Sequence, residues 1–129
     1  MPGSSHELRR GRLLNNKQKG DRGEEIARRY LIRQGYSIVG RNYRTRYGEL
    51  DLIARHGNTL VFVEVKLRRG TRYGDPLEAV DEHKQAAIRA IAEQYLAEEE
   101  PEFEDARFDV VGILAEGRSY RIEHVEDAF

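Results

Sequence analysis

Residues 48–66 read GELDLIARHGNTLVFVEVK, and this stretch decides the fold. At its centre Gly57-Asn58 is a two-residue turn signal between two β-forming runs. A two-residue loop pairs His56 with Thr59. Carried back along both strands, that register sets Asp51 opposite Glu64 and Glu49 opposite Lys66. A four-residue loop on the same turn keeps the register, whereas a three-residue loop or a bulge breaks it. The second strand of the hairpin, over residues 59–67, is the most apolar and β-branched segment of the chain. Val61, Val63 and Val65 line one face and Leu60 and Phe62 the other, so the strand reads as central and covered on both sides.

Directly opposed residues have Cβ atoms roughly 4.5–5.5 Å apart, so two carboxylates in that position repel each other. Burial in an apolar hairpin raises the cost of leaving them unpaired. One compensation is a divalent cation such as Mg²⁺ or Mn²⁺, which takes hard oxygen ligands from one or two carboxylates plus water. The other is protonation or pairing with Lys66, which shares the face of Glu64. A cation beside a lysine makes a workable phosphodiesterase site: the cation polarises a phosphoryl oxygen and lowers the pKa of a bound water. The ammonium stabilises developing charge. Asp51, Glu64 and Lys66 are therefore candidate catalytic residues, with a buried ion-pair network as the alternative. Glu49 pairs with Lys66 or caps its strand end.

Outward from the hairpin, a helix is expected over residues 21–34, with Asp21 and Glu24 at capping-box spacing and Gly35 as the stop. Ile26, Ala27, Tyr30 and Leu31 form its apolar stripe. The capping box accounts for Glu24, whose place at the rim of the stripe also permits an inward role. A strand is expected over 36–44 and the first hairpin strand over 49–55. Asp75-Pro76-Leu77-Glu78 announces a second helix running to about Glu98, with Asp75 as its cap and Val80, Ala87, Ile88, Ile91 and Tyr95 inward. Lys84 falls on that inner face, where its stem snorkels or its ammonium meets a phosphate or the acidic site. Strands over 107–114 and 119–124 complete the order α-β-β-β-α-β-β, an α/β or α+β layered domain. Residues 20–129 read as one domain, preceded by a flexible basic arm over 1–19 that is either a solvated tail or a set of phosphate contacts.

Arg41-Asn-Tyr-Arg44-Thr-Arg46-Tyr47 and Arg68-Arg69-Gly-Thr-Arg72-Tyr73 bracket the hairpin. Arginine interleaved with tyrosine suits phosphate contact with base or sugar stacking. Residues 1–72 hold 17 basic and 7 acidic residues, a balance of +10, and residues 73–129 hold 5 and 16, a balance of −11. That asymmetry points to a polyanion on one face or to two halves that compensate each other. His56, His83 and His124 have no ligand spacing and read as structural or surface residues. The chain contains no Cys, which excludes disulfides and Cys-ligated zinc. With no apolar run of membrane length and no hydrophobic signal core, it reads as soluble and cytoplasmic.

Several stretches together carry a family resemblance: Gly20-x-x-Gly-Glu-x-x-Ala-x-x-Tyr-Leu31, Asn42-x-Arg44, Gly48-Glu-Leu-Asp-Leu-Ile-Ala54 and Val61-Phe-Val-Glu-Val-Lys66. Gly74-Asp-Pro76, Ala79-Val80, Lys84, Tyr95-Leu96, Arg107-Phe-Asp-Val-Val111 and the tail from His124 to Phe129 extend it. Over about residues 20–129 the chain resembles the YraN-like family of small bacterial proteins, assigned to the restriction-endonuclease-like superfamily and similar to archaeal Holliday-junction resolvases. The resemblance implies a three-layer core, a central mixed β-sheet flanked by helices. It implies Asp51 and Glu64 as metal ligands, Lys66 as the catalytic lysine, Glu24 as a helper that holds metal through water, and the Val65 carbonyl as a further ligand. The signature's usual proline before the aspartate is Leu50 here.

The expected function is a Mg²⁺- or Mn²⁺-dependent endonuclease on nucleic acid, DNA first, branched or damaged. Arg44, Arg46, Tyr47, Arg68, Arg69, Arg72, Tyr73 and Lys84 would hold the polymer. A homodimer is left open by the resemblance alone. The alternatives are a non-catalytic nucleic-acid-binding module and a scaffold with a buried ion-pair network.

Overall fold

A computed structural model describes residues 14–69 and 76–129. Helix α1 spans Leu14–Arg33, followed by strands β1 (Ser37–Thr45), β2 (Gly48–His56) and β3 (Thr59–Arg69). A 3-10 turn over Pro76–Ala79 leads into helix α2 (Glu82–Glu99), and strands β4 (Asp105–Glu116) and β5 (Ser119–Val125) follow. The five strands form one sheet in the order β1-β2-β3-β4-β5. Strands β3 and β4 are parallel and the other neighbours antiparallel, so the sheet is mixed. A parallel pair needs a crossover, and the segment containing α2 supplies it. The order and the α/β layering are those expected from the sequence.

Side-chain alternation along the strands divides the core between two faces. On one, Ala27 and Leu31 of α1 pack against Leu52, Ala54, Val61, Val63 and Val111. On the other, Ile88, Ile91 and Ala92 of α2 pack against Ile53, Leu60, Phe62 and Val110. Strand β3 contributes to both, so a polar side chain placed on it lies beneath a helix. Among the described residues no helix is long and apolar enough to cross a membrane.

Two helix starts differ from expectation. Helix α1 begins at Leu14, seven residues ahead of Asp21, so residues 14–19 are helical rather than part of an arm. Lys17, Gln18 and Lys19 are good helix formers, and extending an existing helix is easier than starting one at Asp21. The Asp21/Glu24 spacing thus lies inside the helix rather than at its start, and the first turn contains no acidic residue. The expected stop is where it should be: Gly35 has φ +95°, and Tyr36 donates its N–H to the Leu31 carbonyl at 2.9 Å. The second helix is also displaced. Its cap is Asp81, whose carboxylate accepts the Lys84 N–H at 2.8 Å. Pro76 opens only the short 3-10 turn, after which Val80 turns into the core and breaks the run. The expected cap Asp75, and with it Arg72, Tyr73 and residues 1–13 of the basic arm, lie outside the described residues.

Candidate active site

The hairpin turn sets the site. Gly57 takes φ +63°, the requirement at the first position of a II′ turn. His56 pairs with Thr59, and the ladder runs on in the expected register to Leu52–Val63, where it stops. Asp51 and Glu64 are the next residues on their strands. The β1–β2 ladder likewise passes from Arg41–Leu52 to Tyr43–Leu50, skipping Asn42 and Asp51. Freed from both ladders, the Asp51 carboxylate replaces a backbone acceptor: its Oδ2 takes the Val65 N–H at 2.8 Å.

Glu64 is buried, with 4% of its side chain exposed. Lys66 Nζ and Lys84 Nζ each lie 3.4 Å from its Oε2. Its other oxygen, Oε1, is buried without a hydrogen-bond partner. Burial and then the charge of Glu64 push the Asp51 carboxyl up to about 8, against the lowering effect of the Val65 N–H. Glu24 on α1 adds to that rise, so its field reaches the pair. Burial also raises the Glu24 carboxyl, partly offset by a hydrogen bond from Asn42. The structure therefore brings Asp51, Glu64 and Lys66 together, adds Lys84 from α2, and sets Glu24 at the margin.

This donor set suits a hard cation. One buried carboxylate oxygen lacks a partner, and a second carboxyl beside it is pushed towards protonation by burial and by the Glu64 charge. Two carboxylates plus water are enough for Mg²⁺, which keeps several waters. No group of three or more His, Cys, Asp or Glu side chains placed to hold a metal occurs among the described residues.

Glu49 does not face Lys66. It pairs with Arg44 across the β1–β2 ladder, their charged ends 3.6 Å apart. The ladder has ended before Glu49 could reach β3. Sequence reasoning also passed over Asn42 as a site residue. Its φ of +51° is a left-handed conformation that Asn tolerates better than most residues, and that tolerance was the available signal.

The basic groups gather at the end of the sheet where β2 begins and β3 ends. In the β1–β2 turn the Arg46 guanidinium sits 5.0 Å from the Tyr47 ring centroid and donates to its hydroxyl at 2.9 Å. Arg68 and Arg69 close β3. Arg69 shares a small cleft with Arg22 of α1 and Arg118 of the β4–β5 turn, two arginines that the linear pattern did not single out.

A second buried acid lies on the α1 face of the sheet. Asp109 on β4 is wholly buried and accepts four hydrogen bonds. Arg107 donates through Nε and Nη2 at 3.0 Å each, and the Asp127 N–H donates at 3.0 Å. His124 Nε2 donates at 2.7 Å, and its Nδ1 lies 3.0 Å from the Tyr30 hydroxyl. Arg107 also donates to the Tyr36 hydroxyl at 2.7 Å. The bonds from His124 and Arg107 overcome burial and hold the Asp109 carboxyl below the usual carboxylate range. Every acceptor is satisfied, so the cluster ties α1, β4 and the C-terminal tail together. His124 is thus structural, one of the two readings its isolation in sequence left open.

Comparison with known proteins gives one family. The uncharacterised protein family UPF0102 matches residues 23–113. A UPF0102 protein of Rhodococcus opacus (strain B4) is 50% identical over 118 residues, covering 91% of this chain and all of the relative. One from Syntrophus aciditrophicus (strain SB) is 46% identical over 118 residues, covering 92% and 93%. One from Dictyoglomus thermophilum is 41% identical over 118 residues, covering 90% and 100%.

Proposed function

The chain belongs to the uncharacterised protein family UPF0102, the same family as the YraN-like resemblance, and from the groups around Glu64 we propose a metal-dependent endonuclease that hydrolyses nucleic-acid phosphodiester bonds. The observation that carries this reading is the Glu64 Oε1 atom, buried without a partner beside the raised Asp51 carboxyl. Asp51 and Glu64, with the Val65 carbonyl, would hold Mg²⁺ or Mn²⁺. When bound, such a cation supplies Lewis acidity to a phosphoryl oxygen and a more acidic water.

The chain's own groups supply the remainder. The Lys66 ammonium, 24% exposed and 3.4 Å from Glu64, faces the charge that builds on phosphorus as water adds and the ester bond breaks. The Val65 N–H fixes the Asp51 carboxylate in orientation. Glu24 lends further negative potential. Arg44, Arg46, Tyr47, Arg68 and Arg69 edge the site with groups suited to backbone phosphates and stacked bases. DNA is the proposed polymer, branched or damaged substrates included.

One observation favours a second reading. Lys66 and Lys84 both pair with Glu64, which is how a purely structural buried ion-pair network neutralises itself. Thermal unfolding with and without Mn²⁺ separates the two. The nuclease reading expects Mn²⁺ to raise Tm and expects Glu64→Ala to abolish the rise, with about 2.7 kcal/mol gained when Mn²⁺ is a hundredfold above its Kd. No response in the wild type favours the network. A panel of supercoiled, single-stranded and four-way-junction DNA, with RNA alongside, then identifies the substrate. Sizing the protein alone and on duplex DNA tests for a homodimer.

A further inference from the structure

Lys84 stands apart from Asp51, Glu64 and Lys66 because it comes from a helix rather than from the sheet. It occupies the first turn of α2, where Asp81 fixes its backbone N–H at 2.8 Å. From there its side chain crosses to the carboxylate on β3 and stops 3.4 Å from Glu64 Oε2. The Lys66 ammonium is at the same distance from the same oxygen. Glu64 is thus lopsided, with two ammonium groups on one oxygen and none on the other.

A divalent cation at Oε1 would bring two positive charges to a carboxylate that already faces two. Charges a few ångströms apart at a partly buried site are weakly screened, so the ammonium groups and the cation oppose each other strongly. The group held least firmly yields. Lys66 springs from the same strand as Glu64 and is 24% exposed, whereas Lys84 is 40% exposed on a long flexible stem. At 3.4 Å both contacts exceed the length of a charge-assisted hydrogen bond, so exposure and the separate layer, not bond length, make Lys84 the group that yields.

We infer that Lys84 is a displaceable counter-ion: its ammonium occupies Glu64 when the carboxylates hold no cation, and it sets cation affinity by competing for that charge. Lys84 is accordingly a positioning residue acting through Glu64. The inference rests on the metal-dependent reading above and assigns Lys84 a role distinct from that of Lys66.

The test is Mn²⁺ binding to the full chain, followed by the electron paramagnetic resonance signal of free Mn²⁺, with no nucleic acid present. Lys84→Met keeps the stem and removes the charge, and Lys84→Arg keeps the charge. Lys84→Met is expected to bind Mn²⁺ about tenfold more tightly than wild type, and Lys84→Arg to stay within about twofold of it. A purely structural prop would lower Tm in Lys84→Met and leave Mn²⁺ affinity unchanged or weaker. Equal or weaker binding by Lys84→Met, with clear binding by wild type, overturns the inference and leaves the nuclease reading standing. No Mn²⁺ binding by any of the three proteins overturns both.

Discussion

Asp51 accepts the backbone N–H of Val65 through Oδ2 at 2.8 Å, so a side chain takes over where the β2–β3 ladder ends at Leu52–Val63. The substitution of side chain for backbone opens the hairpin at the point where Glu64 turns inward. It also leaves a half-buried carboxyl beside a buried one, an arrangement that costs folding energy and suits a cation.

That cost is measurable. The Asp51 carboxyl, raised from 3.8 to about 8, keeps a proton in the folded protein that the unfolded chain gives up. Stability therefore falls as pH rises from about 4 to about 8, and the loss is complete above. Asp51→Asn keeps an acceptor for the Val65 N–H and removes the charge. Urea unfolding at pH 9 is expected to show the variant about 1–4 kcal/mol more stable than wild type. Its stability across pH 5–9 should lack the decline assigned to Asp51. Equal stability of the two proteins at pH 9 would contradict the strain assigned to the pair.

Asp109 has the opposite sign. Its carboxyl is held below 3.8, so the stability it contributes is present above about pH 4 and is lost as pH falls through the lower folded value. Asp109→Asn is expected to lose that acid limb. Asp109→Ala strands the Arg107 guanidinium and is expected to lower stability by about 3–5 kcal/mol. Urea titrations at pH 3 and pH 7 check both.

Asp81→Ala removes the cap of α2, and a loss of about 1 kcal/mol is expected in thermal unfolding. Because the cap fixes the backbone of Lys84, the same variant should shift Mn²⁺ affinity in the direction of Lys84→Met. An unchanged affinity would mean that the Lys84 stem reaches Glu64 without help from the helix start.

The hairpin was legible from sequence because its information is local: a turn at Gly57-Asn58 sets the register from His56–Thr59 to Leu52–Val63. Where the ladder ends was not legible, since that depends on the Asp51 side chain finding the Val65 N–H. Glu49 was misassigned to Lys66 for this reason, and it meets Arg44 instead. The inward face of Lys84 was readable from helical periodicity. Its meeting with Glu64 required the crossover that lays α2 on that face of the sheet. That the long helix starts at Asp81, after Val80 has turned into the core, is a tertiary effect the local pattern did not carry. Asp109 looked like any strand acid until its donors converged from β4, β5 and the tail.

The central claim is that Asp51 and Glu64 form a cation-dependent hydrolytic site, and a cleavage assay tests it most directly. Wild type, Asp51→Asn and Glu64→Gln, purified identically, would be incubated with supercoiled and four-way-junction DNA in Mg²⁺, in Mn²⁺ and in EDTA. Cutting by wild type only with a cation, and a fall of at least about a hundredfold in both variants, is the predicted result. Equal cutting by wild type and both variants, or no cutting of any substrate by wild type, would contradict it.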